Sequence, residues 1–416
     1  MVHRKIESTI IEMLKYFRVV AINGPRQSGK TTLQKKIVEN KEMNYYTFDD
    51  EGTYDFALEN TRNFINNISK EKNVAIDEVQ MIPSVIPAIK IAVDEENRKG
   101  MFLLTGSSDM FKNSKIKESL AGRMASFNLY PLSYTEINKR DINIINKLFS
   151  DSFNRFDIDK KISEEDFISA VINGGYPEVY ELPSKAKKAW FDFYIKSRIS
   201  KDIATIENIH LDKVQDLDKL LKVLASQVAS LVNYSNVANS ISITDKTVRK
   251  YIQILEALYI VKLVPAYSNN QLKRVVKKPK VHFIDSGLVS HLLNVDVKSS
   301  MLGKNEHLGN LVETFVYSEL IKHESYSDEN VNIYHYRDSQ KQEVDFVLES
   351  MSGDVVALEI KSGSTLKTNH FKGLIALAKT MNKKSFKGIV LYGGEQILPY
   401  KVGEYQFWAI PLRIFM

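Results

Sequence analysis

The chain has 416 residues, of which 44% are hydrophobic and 26% charged, with a net charge of +6. That composition excludes disordered and fibrous classes and leaves room for about two to four globular domains. The absence of cysteine excludes disulfides, cysteine zinc sites and thiol catalysis, and fits a reducing cytoplasm. The opening "MVHRKIESTIIEMLKYFRVVAING" has acidic residues inside its apolar part and no small-residue cleavage pattern, so no secretory signal is expected. No apolar run reaches the length of a membrane span.

Residues 1–137 read as a nucleotide-binding core. "RVVAING" (Arg18 to Gly24) is an apolar strand pattern, and "KTTLQKKIVEN" has apolar positions at helical spacing. Between them runs "GPRQSGKTT". Gly24, Pro25, Arg26, Gln27, Ser28, Gly29, Lys30 and Thr31 fit G-x-x-x-x-G-K-[ST], with Thr32 next on the helix. A glycine loop between strand and helix aims backbone N–H groups at phosphates. Lys30 is expected to reach the outer phosphates of ATP, and Thr31 to ligate Mg²⁺. "NVAIDEVQ" (Asn73 to Gln80) is a buried-strand pattern ending in two carboxylates. Asp77 suits the Mg²⁺ shell, and Glu78 suits polarising the attacking water. A third strand, "MFLLTGSS", ends in hydroxyls. Ser107 or Ser108 either meets the outer phosphate or water, or simply forms a Ser-Gly turn.

"GPRQSGKTTL", "AIDEVQ", "LLTGSS", "SLAGRMASFNLYPLSYTE" and "NGGYPEVY" occur in an order that resembles a prokaryotic AAA-superfamily P-loop ATPase family with a C-terminal domain of unknown function. The resemblance runs almost to the C-terminus. It implies an α/β core with the catalytic glutamate on the Asp77–Glu78 strand, then a helical lid. Arg123 in "SLAGR" matches the position of an arginine finger, which would make hydrolysis depend on assembly or closure. A plain surface arginine is the other reading. The family often has Arg-Asp-Ile after its lid, where this chain has "SKDI" (Ser200 to Ile203).

Residues 138–210 read as charged-faced helices interrupted by "NGGYPE", a lid or connector. From 211 to 270 the pattern predicts a winged helix: "DLDKLLKVLASQVAS", the short "NYSNVANSI", a turn, "DKTVRKYIQILEALYIV", then strand. Thr247, Arg249, Lys250 and Gln253 fall on the outer face of its recognition helix. Lys273, Arg274, Lys277, Lys278 and Lys280 follow in or after the wing. Such a basic set suits the phosphates of DNA. The alternative is a packing module between core and tail.

In residues 271–416, "QKQEVDFVLESMSGDVVALEIKSG" alternates strictly. Val344, Phe346 and Leu348 share one face, matched by Val356, Leu358 and Ile360 on a second strand after a Met351-Ser352-Gly353 loop. That register sets Asp345 opposite Glu359, and Glu343 opposite Lys361. An Asp followed by Glu-x-Lys on the next strand is the arrangement of PD-(D/E)xK nucleases. Asp345 and Glu359 would bind Mg²⁺, with Glu313 on the preceding helix as a further ligand and Lys361 beside the attacked phosphate. A surface face with cross-strand ion pairs is the plainer reading. It suits Glu343 with Lys361, but like charges at Asp345 and Glu359 oppose it.

The expected fold class is α/β multidomain: a P-loop AAA-type parallel sheet, a helical lid, a winged helix and a PD-(D/E)xK-like α/β domain. Expected cofactors are ATP and Mg²⁺. Expected partners are DNA and further copies of the chain, with no membrane. The rival to ATP-driven DNA processing is a nucleotide-gated switch whose tail is a non-catalytic interaction module.

Overall fold

The computed structural model describes residues 2–107, 120–159, 161–199, 214–268, 270, 274, 277–381 and 385–416. Ser108, "SKDI" and Lys273 lie outside them. The chain divides into two compact units, Met1–Leu132 with Ala257–Tyr259, and Ser133–Glu256 with Ile260–Met416.

The first unit is built on β1 (Val19–Asn23), β2 (Asn44–Thr47), β3 (Val74–Asp77), β4 (Phe102–Gly106) and β5 (Met124–Asn128). All pairings are parallel and the order is β2-β3-β4-β1-β5. Parallel strands covered on both faces read as near-continuous apolar runs, which is why β1, β3 and β4 are buried at every position. One face of the sheet packs Val19, Ala21, Ile76 and Leu104 against Phe64 and Ile65 of the helix Thr61–Ser69 and against Ile86, Ile89 and Val93 of the helix Val85–Glu96. The helix Lys30–Lys41 begins directly after Gly29. In the middle of that helix Gln34 is fully buried, and its amide donates to the carbonyls of Ile76 (3.2 Å) and Leu103 (2.9 Å).

The second unit starts with the connector helices Tyr134–Ile137, Ile144–Phe149, Glu164–Asn173 and Ser184–Phe193. These pack on the tail: Arg140 donates to the Ile414 carbonyl (3.1 Å), and Lys387 to the carbonyls of Phe149 and Ser150 (2.9 Å each). Next come the helix Val214–Ser226, β6 (Ser230–Leu231), the helices Tyr234–Ile241 and Asp245–Ala257, β7 (Val261–Val264) and β8 (Lys280–Phe283). The three strands form an antiparallel sheet in the order β6-β8-β7. The return strand of this module thus lies at 280–283, ten residues beyond its expected end.

After it the helix Leu308–Glu324 leads into β9 (Val331–Arg337), β10 (Glu343–Ser350), β11 (Val355–Lys361), the helix Lys372–Ala378, β12 (Phe386–Tyr392), β13 (Leu398–Val402) and β14 (Tyr405–Pro411). The sheet order is β13-β14-β12-β11-β10-β9. β9, β10 and β11 run antiparallel, while β12 is parallel to β11. The helix Leu308–Glu324 is buried from Leu311 to His323. Its buried Glu319 is paired with Lys322 (2.8 Å) and accepts the Tyr134 N–H (3.0 Å), so its charge is met from both sides.

Candidate functional site

The glycine loop follows β1 at the carboxyl end of the sheet, where open α/β sheets bind ligands. Gly24 has φ +149°, and a Cβ there would come 2.2 Å from the Leu129 carbonyl oxygen, so the loop's first position admits only glycine. Gly29 (φ +93°) and Gln27 (φ +61°) are also left-handed. Lys30 is 5% exposed, and its ammonium donates to the carbonyls of Gly24 (3.0 Å) and Pro25 (2.8 Å), across the mouth of the loop. Among the described residues the Ser28 hydroxyl is buried without a hydrogen-bond partner, so a donor remains in the loop for a phosphate-bearing ligand. Arg4 braces the loop from behind, donating to the Ser28 carbonyl and the Tyr130 carbonyl (2.7 Å each).

Asp77 at the tip of β3 is 2% exposed and gathers four donors. They are Thr31 Oγ1 (2.7 Å to Oδ2), Tyr45 Oη (3.1 Å to Oδ2), the Glu78 N–H (3.2 Å to Oδ1) and the Thr105 hydroxyl. Burial, with the Asp77 carboxylate beside it, pushes the Tyr45 phenol well above its ordinary pKa. Hard oxygens from Thr31 and Asp77 fit Mg²⁺, which keeps most of its waters and takes one or two protein ligands. Glu78 sits in the left-handed region (φ +57°, ψ +42°), a conformation that costs a non-glycine residue about 1 kcal/mol and is found at functional sites. Gln80, the last residue of "NVAIDEVQ", donates both to Glu78 Oε2 and to Ser107 Oγ (2.9 Å). It links the end of β3 to the end of β4. Gln80, Tyr45 and Arg4 escape a motif reading because each has a partner far along the chain: Ser107 at 27 residues, Asp77 at 32 and Tyr130 at 126.

Arg123 lies elsewhere. It precedes β5, and its carbonyl accepts the N–H of Val19 at the start of β1, the end of the sheet opposite the loop. Its guanidinium is bidentate to Asp94, with Nη2–Oδ2 at 2.9 Å. The Asp94 partnership raises the Arg123 pKa further, and Arg123 holds Asp94 below its usual range. Arg123 therefore does not reach the loop of its own chain.

On the helix Asp245–Ala257, Lys246, Arg249, Lys250 and Gln253 are exposed, while Val248, Tyr251, Ile252 and Leu255 are buried. Arg249 stacks on Tyr234 at 3.7 Å, and the Thr247 hydroxyl is bonded to that of Thr244 (2.9 Å). Of the expected wing cations, Lys277 and Lys278 are exposed, but Arg274 and Lys280 are placed differently. Arg274 is clamped by Glu349 (2.6 and 3.2 Å) between the rings of Tyr267 and Tyr334, so its charge is spent inside the protein. Lys280 is 2% exposed. Both belong to the seam between the hairpin β7–β8 and the C-terminal sheet, where the Tyr267 N–H donates to the His335 carbonyl (2.6 Å). The basic run looked like a wing because sequence carries no sign of which carboxylates face it.

In the C-terminal sheet Phe346 pairs with Leu358 and Leu348 with Val356. The next step of that register sets Asp345 across from Glu359. The alternation itself is broken. Against β9, Val344 pairs with Tyr336 and Val347 with Tyr334, leaving one extra residue on β10. Such a bulge turns two neighbours to one side. Val344 therefore joins Val347, Phe371, Leu374 and Leu377 in one core, while Phe346 packs on Tyr317 and His282 on the other side, with Asp345. Glu313, Glu343 and Asp345 converge on Lys280, at 2.9, 2.9 and 3.3 Å. Lys361 turns to Glu359 (2.6 Å) rather than to Glu343. Burial, then the Asp345 charge, raises the Glu313 and Glu359 carboxyls, opposed by Lys280 at Glu313 and by Lys361 at Glu359. Burial lowers the Lys280 ammonium, but Glu313, Asp345 and Glu343 outweigh it and raise its pKa.

Residues 16–138 match the family model described as an AAA domain. Residues 164–299 and 308–415 match two models described as domains of unknown function, DUF8612 and DUF4143. The uncharacterized proteins Mb2031c of Mycobacterium bovis and Rv2008c of Mycobacterium tuberculosis are each 28% identical over 350 residues, 83% of this chain and 71% of theirs. Among solved structures, the Walker-type ATPase PABY2304 of Pyrococcus abyssi is similar at 14% identity and a TM-score of 0.43, covering 70% of this chain and 96% of its own. AMPPCP-bound DnaA from Aquifex aeolicus is similar at 15% identity and a TM-score of 0.28, covering 60% of this chain and 86% of its own. Among the described residues no helix is long and apolar enough to cross a membrane. The first unit has an AAA-type P-loop ATPase fold, and a C-terminal mixed-sheet domain follows it.

Proposed function

We propose that the chain is an Mg²⁺-dependent ATPase that couples hydrolysis to contact with DNA. The observation that carries the reading is the Asp77 carboxylate, which is shared with Thr31 under the glycine loop and is followed directly by Glu78. Lys30 meets the outer phosphates, Thr31 and Asp77 hold Mg²⁺, and Glu78 accepts the proton of the attacking water. The bound metal would neutralise charge between the outer phosphates. DNA contact falls to Lys246, Arg249, Lys250 and Gln253, exposed on a helix within a helix–strand–helix–helix–strand–strand order that supports the winged-helix reading. Arg123 acts in this scheme only on a neighbouring copy. The deciding experiment measures ATP turnover of wild type and Glu78→Gln with and without duplex DNA. DNA-stimulated turnover, absent in Glu78→Gln, is expected. Turnover indifferent to DNA, with no DNA binding at low salt, would remove the DNA half.

A second reading is a nucleotide-gated switch whose tail is a non-catalytic interaction module. The specific observation in its favour is that Lys280 already meets the carboxylates that metal-dependent DNA cleavage would require.

A further inference from the structure

Glu313, Asp345 and Glu359 were expected to hold a divalent ion, and their surroundings do not fit one. An ammonium has three N–H donors. That of Lys280 has three acceptors around it: Glu313 Oε1 and Glu343 Oε1 at 2.9 Å and Asp345 Oδ1 at 3.3 Å. The second oxygen of Asp345 accepts the Ile360 N–H (2.8 Å), and Glu359 Oε1 accepts from Lys361 (2.6 Å), which leaves Glu359 Oε2 as the one oxygen of this group that is buried without a partner among the described residues. These are ordinary N–H···O lengths, and Mg²⁺ or Ca²⁺ at the ammonium's place would need the carboxylates to close in to roughly 2.0–2.6 Å. An ion entering would also be set against a cation that cannot swing away. Lys280 opens β8, where it pairs with Val264 of β7 on one side and Leu231 of β6 on the other, and it is 2% exposed. Among the described residues no three His, Asp or Glu side chains gather as a metal site.

We infer that the carboxylate cluster of the C-terminal sheet is a socket for the Lys280 ammonium, which takes the place of a divalent metal and locks the hairpin β7–β8 to that sheet. The same seam carries a second lock of the same kind. Arg274, in the β7–β8 connection, is held by Glu349 of β10. Two cations of the helical module thus dock into carboxylates of the C-terminal domain: Lys280 among Glu313 of the helix Leu308–Glu324 and Glu343 and Asp345 of β10, and Arg274 on Glu349 of β10. The tail then works as a docking partner of the helical module. Glu359 and Lys361 are left as an ion pair beside the socket. This deepens the second reading above. It is tested without nucleotide, so its failure is separate from failure of the ATPase reading.

The test is Mn²⁺ binding to the full chain, followed by electron paramagnetic resonance without nucleotide. Wild type, Glu359→Gln and Glu313→Gln are expected to share one isotherm up to millimolar Mn²⁺. A wild-type site lost in either variant would overturn the inference, whereas a site lost only in Asp77→Asn belongs to the glycine loop. Lys280→Met supplies the converse arm. It should melt lower than wild type in EDTA and gain a Mn²⁺-dependent rise in melting temperature that wild type lacks. Folded Lys280→Met that gains no such rise would also count against the lysine as the resident cation. Should Lys280→Met not fold, Lys280→Gln takes its place, and the comparison of wild type with Glu359→Gln decides without either.

Discussion

Thr31 Oγ1 donates to Asp77 Oδ2 over 2.7 Å, joining the start of the loop helix to the tip of a strand that lies beyond β4 in the sheet. This bond aligns the two oxygens suited to Mg²⁺. Asp77→Asn should therefore weaken Mg²⁺-dependent ATP binding, and Lys30→Ala should abolish tight binding with or without metal. Glu78→Gln should bind normally but hydrolyse at least about a hundredfold more slowly, because an amide cannot take the proton of water. Equilibrium binding of a fluorescent nucleotide beside steady-state turnover separates the three.

Gln80 reaches Glu78 and Ser107 together, so it is a positioning residue for the glutamate. Gln80→Ala should lower kcat by about ten- to a hundredfold, the cost of a misplaced group, while nucleotide affinity stays within a factor of about two. An equal fall in affinity would point to collapse of the loop instead.

Lys246, Arg249 and Lys250 stand on the exposed face of the helix Asp245–Ala257. Changing all three to Ala should flatten the log–log salt dependence of DNA binding by up to about three units. Arg274→Ala should leave that slope alone. It should instead destabilise the second unit by on the order of 2 kcal/mol, because Glu349 would keep a mostly buried charge without its partner. Fluorescence anisotropy across a salt series, with a melt of each variant, checks both.

Arg123 is held by Asp94 at the far end of the sheet from its own loop. If it serves a neighbouring copy, turnover should rise faster than linearly with protein concentration. Mixing Arg123→Ala with Lys30→Ala protein should then restore part of the activity. Strict proportionality with no complementation would return Arg123 to a surface ion pair.

His335 bears on acid stability. Burial, then the Lys280 charge, lowers its pKa from 6.5 to about 4. The unfolded chain takes up a proton near pH 6.5, where the folded chain does not. Stability tied to His335 is therefore full above about pH 6.5 and is lost as pH falls towards 4, by up to about 3 kcal/mol. Melts between pH 7.5 and 4.5 should show this slope weakened in His335→Gln, since glutamine can still donate to the Lys278 carbonyl that His335 Nε2 meets at 3.1 Å.

What the sequence determined by itself is local. The glycine loop, its helix and the carboxylates at the end of β3 could be read because each motif is contiguous and its backbone role depends on near neighbours. The C-terminal hairpin was legible for the same reason: a three-residue loop ending at Gly353 (φ +88°) sets the pairing of β10 with β11. Tertiary structure alone decided the rest. The extra residue on β10 arises from pairing with β9, so no pattern within β10 announces that Val344 and Phe346 part company. Lys280 and Arg274 read as free cations in a basic run, yet their carboxylate partners come from 33 to 75 residues further on. A charge carries no mark of its distant partner, and only the packing of β8 against the helix Leu308–Glu324 and the C-terminal sheet turns an expected DNA contact into a buried cation.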